Sequence, residues 1–331
     1  MEDKNRKLNG SVLNSSIKIP EHTDRLVAVE HEGRGIDVDR VLDVLRHDNV
    51  VLARNLGKDQ ADNLIHDLAD KLALSDALKL QAGFATFRSQ GGQRDNIGKY
   101  FMSVTPRHDY QFITPHSEGS SFMDMQLASF LCYENTTDGG ETILMNVDDA
   151  SAEWQSLREQ TVRIKPGSKT LTGSEIARAR GLYRFDPRTA ALKDDDKILQ
   201  ERQSFLPGLT LIDVLAKPQK IYSRILDRRL YVLWDSIGNI DYDALSAYAD
   251  LLRHYGLLKE PAGGLELREM DASAYARRWS SGVDYGKLFS CKITCKLAPG
   301  DMLIQNNLTW THSASNWSPE SGIRRVAAAF A

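Results

Sequence analysis

"MQLASFLCYENTTDGGETILMNV", residues 125–147, decides how this chain folds. Two short apolar runs flank a cluster of turn formers, Asn135, Asp138, Gly139 and Gly140. Runs of this length, rich in β-branched and aromatic residues and bounded by such clusters, read as strands. The Gly-Gly pair reverses the chain between them. The same alternation recurs in "FATFRSQGGQRDN" (84–96), "LFSCKITCKLAPGDMLIQNN" (288–307) and "GIRRVAAAFA" (322–331). Short strands at this spacing predict an antiparallel sandwich or barrel.

Outward from this core the pattern changes. "IDVDRVLDVLRHD" (36–48) carries Val38, Val41, Leu42 and Leu45 at helical spacing, and "KDQADNLIHDLADKLAL" (58–74) repeats the pattern. "NVVLARNL" (49–56) between them reads as a buried strand. The stretch from about 150 to 285 is mixed, with "IDYDALSAYADLLRHYGLL" (240–258) helical. No Pro/Gly/Ser linker sets it apart. Residues 1–20 are polar and read as a loosely ordered segment. The expectation is therefore one domain over 21–331, with an insertion at about 150–285.

Composition narrows the function classes. The 331 residues carry a net charge of −3 and 41% apolar residues, so nothing pulls the chain towards nucleic acid or anionic lipid. Its polar start lacks the apolar stretch of a signal peptide, and no run of about 18 apolar residues suggests a membrane span. Cys132, Cys291 and Cys295 are too few for a disulfide framework, so a cytoplasmic location is expected. Cys291 and Cys295, four apart in a strand, share a face and read as buried thiols.

His116-Ser-Glu118 is the first candidate for chemistry. On a strand, residues two apart point the same way. An imidazole and a carboxylate so placed suit a divalent cation, and a distant second histidine would complete a three-ligand face with three octahedral positions open. Alone the motif says little: with 8 histidines and 45 acidic residues it arises by chance, and it occurs again at His22-Thr23-Asp24. The difference lies downstream. His116 is followed by Gly139-Gly140-Glu141-Thr142, then Pro299-Gly300-Asp301, Asn306-Asn307 and His312, then Arg324-Arg325. A threonine hydroxyl can donate to a carboxylate, and an arginine fork can clamp one.

That order resembles the Fe(II)/2-oxoglutarate-dependent dioxygenases of the taurine dioxygenase and clavaminate synthase-like superfamily. "DNVVLARNLGKDQADNLIHDLADKLAL" (48–74) is also similar to the family's N-terminal strand and helix. The resemblance runs from about 37 to 331 and is weak between 150 and 285. It implies an α+β fold with a double-stranded β-helix (jelly-roll) core, helices outside and the long insertion between the metal-binding segments. It implies His116, Glu118 and His312 as iron ligands, Thr142 on a carboxylate of 2-oxoglutarate, and an arginine on the far carboxylate. Neighbours on a strand face opposite ways. Arg325 shares its face with the small Ala327 and Ala329, Arg324 with Ala328 and the bulky Phe330, so Arg325 is preferred and Arg324 is the competitor. Relatives often carry a second arginine four residues after the first; counted from Arg325, that position is Ala329.

The activity implied is oxygenation: Fe(II), 2-oxoglutarate and O₂ together oxidise an unactivated C–H bond, giving succinate and CO₂. Halogenating members replace the carboxylate ligand by a small residue, so Glu118 points to hydroxylation; desaturation or cyclisation would use the same ligands. Two Gly- and Arg-rich segments, 88–104 and 177–188, are candidate lids that would select a small anionic or amino-acid-like metabolite, such as a biosynthetic intermediate. His31, His47, His66, His108 and His254 are assigned surface or core roles. Competing readings are a zinc hydrolase on the same three ligands, which leaves Thr142 and the arginine unexplained, and a non-catalytic ligand-binding β-sandwich. Oligomeric state is left undetermined.

Overall fold

The structure is a computed structural model, and it describes residues 23–30, 35–86, 94–104, 107–118, 125–148, 150–156, 158–183, 187, 190–217, 220–231, 244–265 and 289–331. Its strands are β1 (Leu26–Glu30), β2 (Val50–Arg54), β3 (Met102–Ser103), β4 (Ile113–His116), β5 (Leu127–Asn135), β6 (Thr142–Val147), β7 (Glu159–Ile164), β8 (Lys197–Gln203), β9 (Thr210–Ala216), β10 (Lys220–Ser223), β11 (Arg228–Tyr231), β12 (Phe289–Cys295), β13 (Met302–Asn306), β14 (Trp310–Ala314) and β15 (Arg324–Phe330). The helices are α1 (Val38–Arg46), α2 (Lys58–Lys71), α3 (Ser75–Thr86), α4 (Ala152–Ser156), α5 (Gly173–Tyr183) and α6 (Ala244–His254).

Two sheets carry the architecture. One has six strands in the order β1-β2-β13-β5-β15-β3, the other four in the order β12-β6-β14-β4. Every pairing in them is antiparallel except β1 with β2. Apolar side chains of both sheets meet in one cluster that includes Phe130, Cys132, Leu144, Ile293, Trp310, Val326, Ala328 and Phe330. Cys291 and Cys295 join it, as their shared face predicts, and all three cysteines are buried and free. Burial pushes the Cys132 thiol up to about 11 and those of Cys291 and Cys295 to about 12.

Helices cover the far face of each sheet. Buried residues of α1, α2 and α3 pack with Leu127, Leu131, Ala327 and Ala329 of the six-stranded sheet. Asp37 starts α1 by accepting from the backbone N–H groups of Asp39 and Arg40, so two of the four unpaired donors of the first turn are satisfied. Tyr248, Ala249 and Leu252 of α6 pack with Phe112, Ile143 and Met145 over the four-stranded sheet. Strands β7, β9 and β8 form a separate three-stranded sheet. Leu211 of β9, with Leu209 just before it, clusters with Ala179 of α5.

The strands expected around Gly139-Gly140 form as β5 and β6. Gly140 has φ +75°, the left-handed region that favours glycine. A Cβ at Gly139 would lie 2.2 Å from the backbone oxygen of Asn316, so no side chain fits there. Three expectations change. Phe84–Thr86 are not strand but the end of α3, a helix the sequence reading missed along with β1. Residues 177–183 of the supposed second lid lie in α5. Residues 88–93, 184–186 and 188 of the two candidate lids, with His22 and His31, lie outside the described residues.

The third change concerns β15. Arg324, Val326, Ala328 and Phe330 face the space between the sheets, and Ala327 and Ala329 face the helices. The small residues make room for α3, not for a bound molecule. Enlarging Ala329 therefore crowds a packed layer. Ala329→Leu is expected to cost about 1–3 kcal/mol in a chemical denaturation experiment, and to leave ligand binding between the sheets unaffected.

Candidate metal and anion site

His116 ends β4 and His312 sits third in β14. The two strands pair so that these histidines are direct partners in the ladder, and their ring centroids lie 4.3 Å apart. Glu118 follows two residues past His116, just beyond the strand. Its Oε1 lies 3.5 Å from His116 Nε2 and 3.6 Å from His312 Nε2. One ligand atom from each of the three falls within 4.8 Å of the others.

The surroundings prepare each ligand. His116 Nδ1 lies 2.8 Å from the Thr114 carbonyl. A carbonyl only accepts, so Nδ1 carries the proton and Nε2 keeps its lone pair for a cation. His312 lies against Phe130 and Phe330, with centroids at 4.5 and 6.3 Å. Gln305 Nε2, which donates to the Trp310 carbonyl, is 3.5 Å from His312 Nδ1. Burial, with His116 beside it, lowers the His312 pKa to about 4. Burial alone would raise Glu118, but hydrogen bonds and charge from His116 and His312 outweigh it and hold the carboxyl well below the usual range. The trio thus offers two imidazole nitrogens and one carboxylate oxygen, a mixed set that fits Fe(II) and other borderline divalent cations.

One residue assigned no role from the sequence holds Glu118 in place. Asn307, fully buried in the β13–β14 turn, accepts from the Glu118 N–H at 3.0 Å and donates to the Glu118 carbonyl at 2.8 Å. It also donates to the Met125 carbonyl at 2.7 Å. One carboxamide thus pins both sides of the ligand-bearing segment. The Asn306-Asn307 pair was visible in the sequence; its target, 189 residues away, was not.

The anion-binding candidates lie along the same strands. Thr142 is buried at the start of β6, opposite Ala314, while Leu144 is opposite His312. Thr142 therefore stands two residues, about 7 Å, along the strand from the histidine pair. Arg324 reaches it from the other sheet: Nη2 donates to Thr142 Oγ1 at 3.1 Å and Nε to the Gly140 carbonyl at 2.7 Å. Arg325 points away. It is exposed and pairs with Glu134 at 3.2 Å. The preference for Arg325 over Arg324 as the inward-facing arginine is thus reversed, because the inner face of β15 is the one bearing Phe330. Counted from Arg324, the position four residues on is Ala328, again alanine. Of the other histidines, His47 is exposed beside Asp43 and His66 stacks on Tyr100.

No protein-family model matches the chain, and no curated protein matches it. Among solved structures it is similar to PvcB, described as an Fe, alpha-ketoglutarate dependent oxygenase from an isonitrile synthetic pathway, with 11% identity, 92% of this chain and 85% of that chain covered, and a TM-score of 0.41; PvcB is from Pseudomonas aeruginosa. A taurine dioxygenase from Burkholderia xenovorans matches at 12% identity, with 92% and 85% covered and a TM-score of 0.39. The non-heme iron oxygenase OrfP, solved with Fe, matches at 14% identity, with 88% and 79% covered and a TM-score of 0.41. Likeness at this level carries no argument about activity. No described helix is long and apolar enough to cross a membrane.

Two measurements probe the trio. Asn307→Ala is expected to weaken Mn(II) or Co(II) binding about 10- to 100-fold in a metal titration, with the circular dichroism of the sheets retained. The metal-free protein should lose stability as pH falls from about 6.5 towards 4. His312 takes up a proton on unfolding in that window, because its folded pKa is depressed. His312→Gln should flatten the pH dependence of thermal unfolding there.

Proposed function

We propose that the protein is an Fe(II)- and 2-oxoglutarate-dependent oxygenase with a jelly-roll core, acting on a small anionic or amino-acid-like metabolite. The observation that carries this reading is the convergence of His116, Glu118 and His312 at one point between the sheets, with Thr142 about 7 Å along β6 and Arg324 in contact with it. A keto acid held at the trio and extended along β6 brings its far carboxylate to that pair, a span suited to a five-carbon diacid.

Bound iron with the keto acid and O₂ would supply oxidation of a C–H bond, one oxygen atom going to succinate as CO₂ is lost and the other to the product. The chain's residues do the rest. His116 and His312 present Nε2, and Glu118 adds one negative charge. A glutamate at this place favours hydroxylation over halogenation. Arg324 and the Thr142 hydroxyl orient the far carboxylate, fixing the direction in which the keto group meets the trio. Phe130 and Phe330 keep water from the buried side of His312.

Anaerobic addition of Fe(II) and 2-oxoglutarate should give a weak visible band that requires both; its absence would remove the oxygenase reading. Arg324→Ala should weaken 2-oxoglutarate binding by tens to thousands of fold, as loss of one partner of a buried charge pair costs about 2–5 kcal/mol. Arg325→Ala should leave it unchanged. Candidate metabolites incubated with ¹⁸O₂ would then identify the product by mass.

A further inference from the structure

The interior holds a second arginine that this function has not used. Arg107 lies on the segment between β3 and β4 and is partly buried. Its guanidinium stacks over the Trp317 ring at 5.2 Å, and Nη1 donates to the Ser315 carbonyl at 3.3 Å. Trp317 also borders Arg324: a Cβ on Gly140 would lie 2.7 Å from Arg324 Cδ and 3.2 Å from Trp317 Cε3. Both arginines thus border Trp317, Arg324 on the side of Gly140. Among the described residues, no carboxylate pairs with Arg107; the groups acting on its charge are Arg324, unfavourably, and Tyr248.

We infer that Arg107 and Arg324 together form a two-guanidinium seat for the far carboxylate of the keto acid, with Arg107 supplying a second cation from the segment between β3 and β4. This rests on the oxygenase reading and deepens it.

Three observations support the assignment. Both guanidinium groups stay protonated at neutral pH: burial and the neighbouring Arg324 lower Arg107 to about 9, and burial lowers Arg324 to about 10. Like charges enclosed side by side repel, so the site is unfavourable until an anion enters. Second, among the described residues the one carboxylate acting on Arg324 is Glu141, buried against Ser315, so two guanidinium groups share a single described counter-charge. Third, donors remain among the described contacts. A guanidinium carries five N–H groups; within the described residues Arg107 spends one on Ser315 and Arg324 two on Gly140 and Thr142.

Calorimetric titration of the full chain, loaded with Fe(II) without oxygen, tests this with two probes. 2-Oxoglutarate has the far carboxylate; 2-oxopentanoate has the same keto-acid head and lacks it. Arg107→Met is expected to weaken 2-oxoglutarate about 10- to 100-fold while leaving 2-oxopentanoate within about twofold. Unchanged 2-oxoglutarate affinity, or equal loss for both probes, overturns the assignment and marks Arg107 as a structural residue. If Arg107→Met does not fold, Arg107→Lys carries the same comparison, because lysine keeps the charge and loses the planar fork: a selective loss for 2-oxoglutarate supports the seat, and an unchanged ratio overturns it. Failure of the unaltered protein to bind either keto acid would instead sink the oxygenase reading itself.

Discussion

The cross-strand pairing of His116 with His312 is the constraint on which the site depends. Antiparallel partners stand side by side on one face of a sheet, so the register of β4 on β14 alone brings two imidazoles together. Everything else is measured from that pair. Glu118 follows in sequence, Asn307 anchors it, and Thr142 takes its distance from the pairing of β14 with β6. A slip of one residue would turn His312 towards α6, since alternate side chains face opposite ways.

Much of this was legible in the sequence, and the reasons it was not complete are physical. The turn at Gly139-Gly140 and the strands beside it follow from local chemistry, as do α1 and α2. The inner face of β15 does not. Alternation identifies a face only when one side of a sheet is wet. Here helices cover one side and the second sheet covers the other, so Val326 through Phe330 are buried without a break. Small residues then signalled close packing against α3 rather than a cavity. The short side chains of "SDALKLQAGFAT" likewise hid α3, whose amphipathic pattern is weaker than that of α1 or α2. Asn307 and Arg107 act on partners far away in the chain, and no local pattern reports such contacts.

The interior also holds more charge than a purely structural core would keep. Glu118, Glu141, Arg107 and Arg324 all lie at or beside the space between the sheets. Replacing buried ionic groups by apolar ones of similar volume is often neutral or stabilising. Their cost to the fold is explained if they await a cation at one end and an anion at the other. The apolar cluster around Phe130 and Phe330 lowers the local dielectric and strengthens both attractions.

The separation of 189 residues between Glu118 and Asn307 also governs when the site can form. Closing so long a loop carries an entropic penalty before any contact offsets it, and chains dominated by such distant pairings fold slowly. During synthesis, His116 and Glu118 leave the ribosome long before Asn307 and His312 exist. The nascent chain therefore carries only two of the three ligands. Were the trio to take a metal, loading would be a late event, reporting completion of the whole double layer and separating finished molecules from unfinished ones.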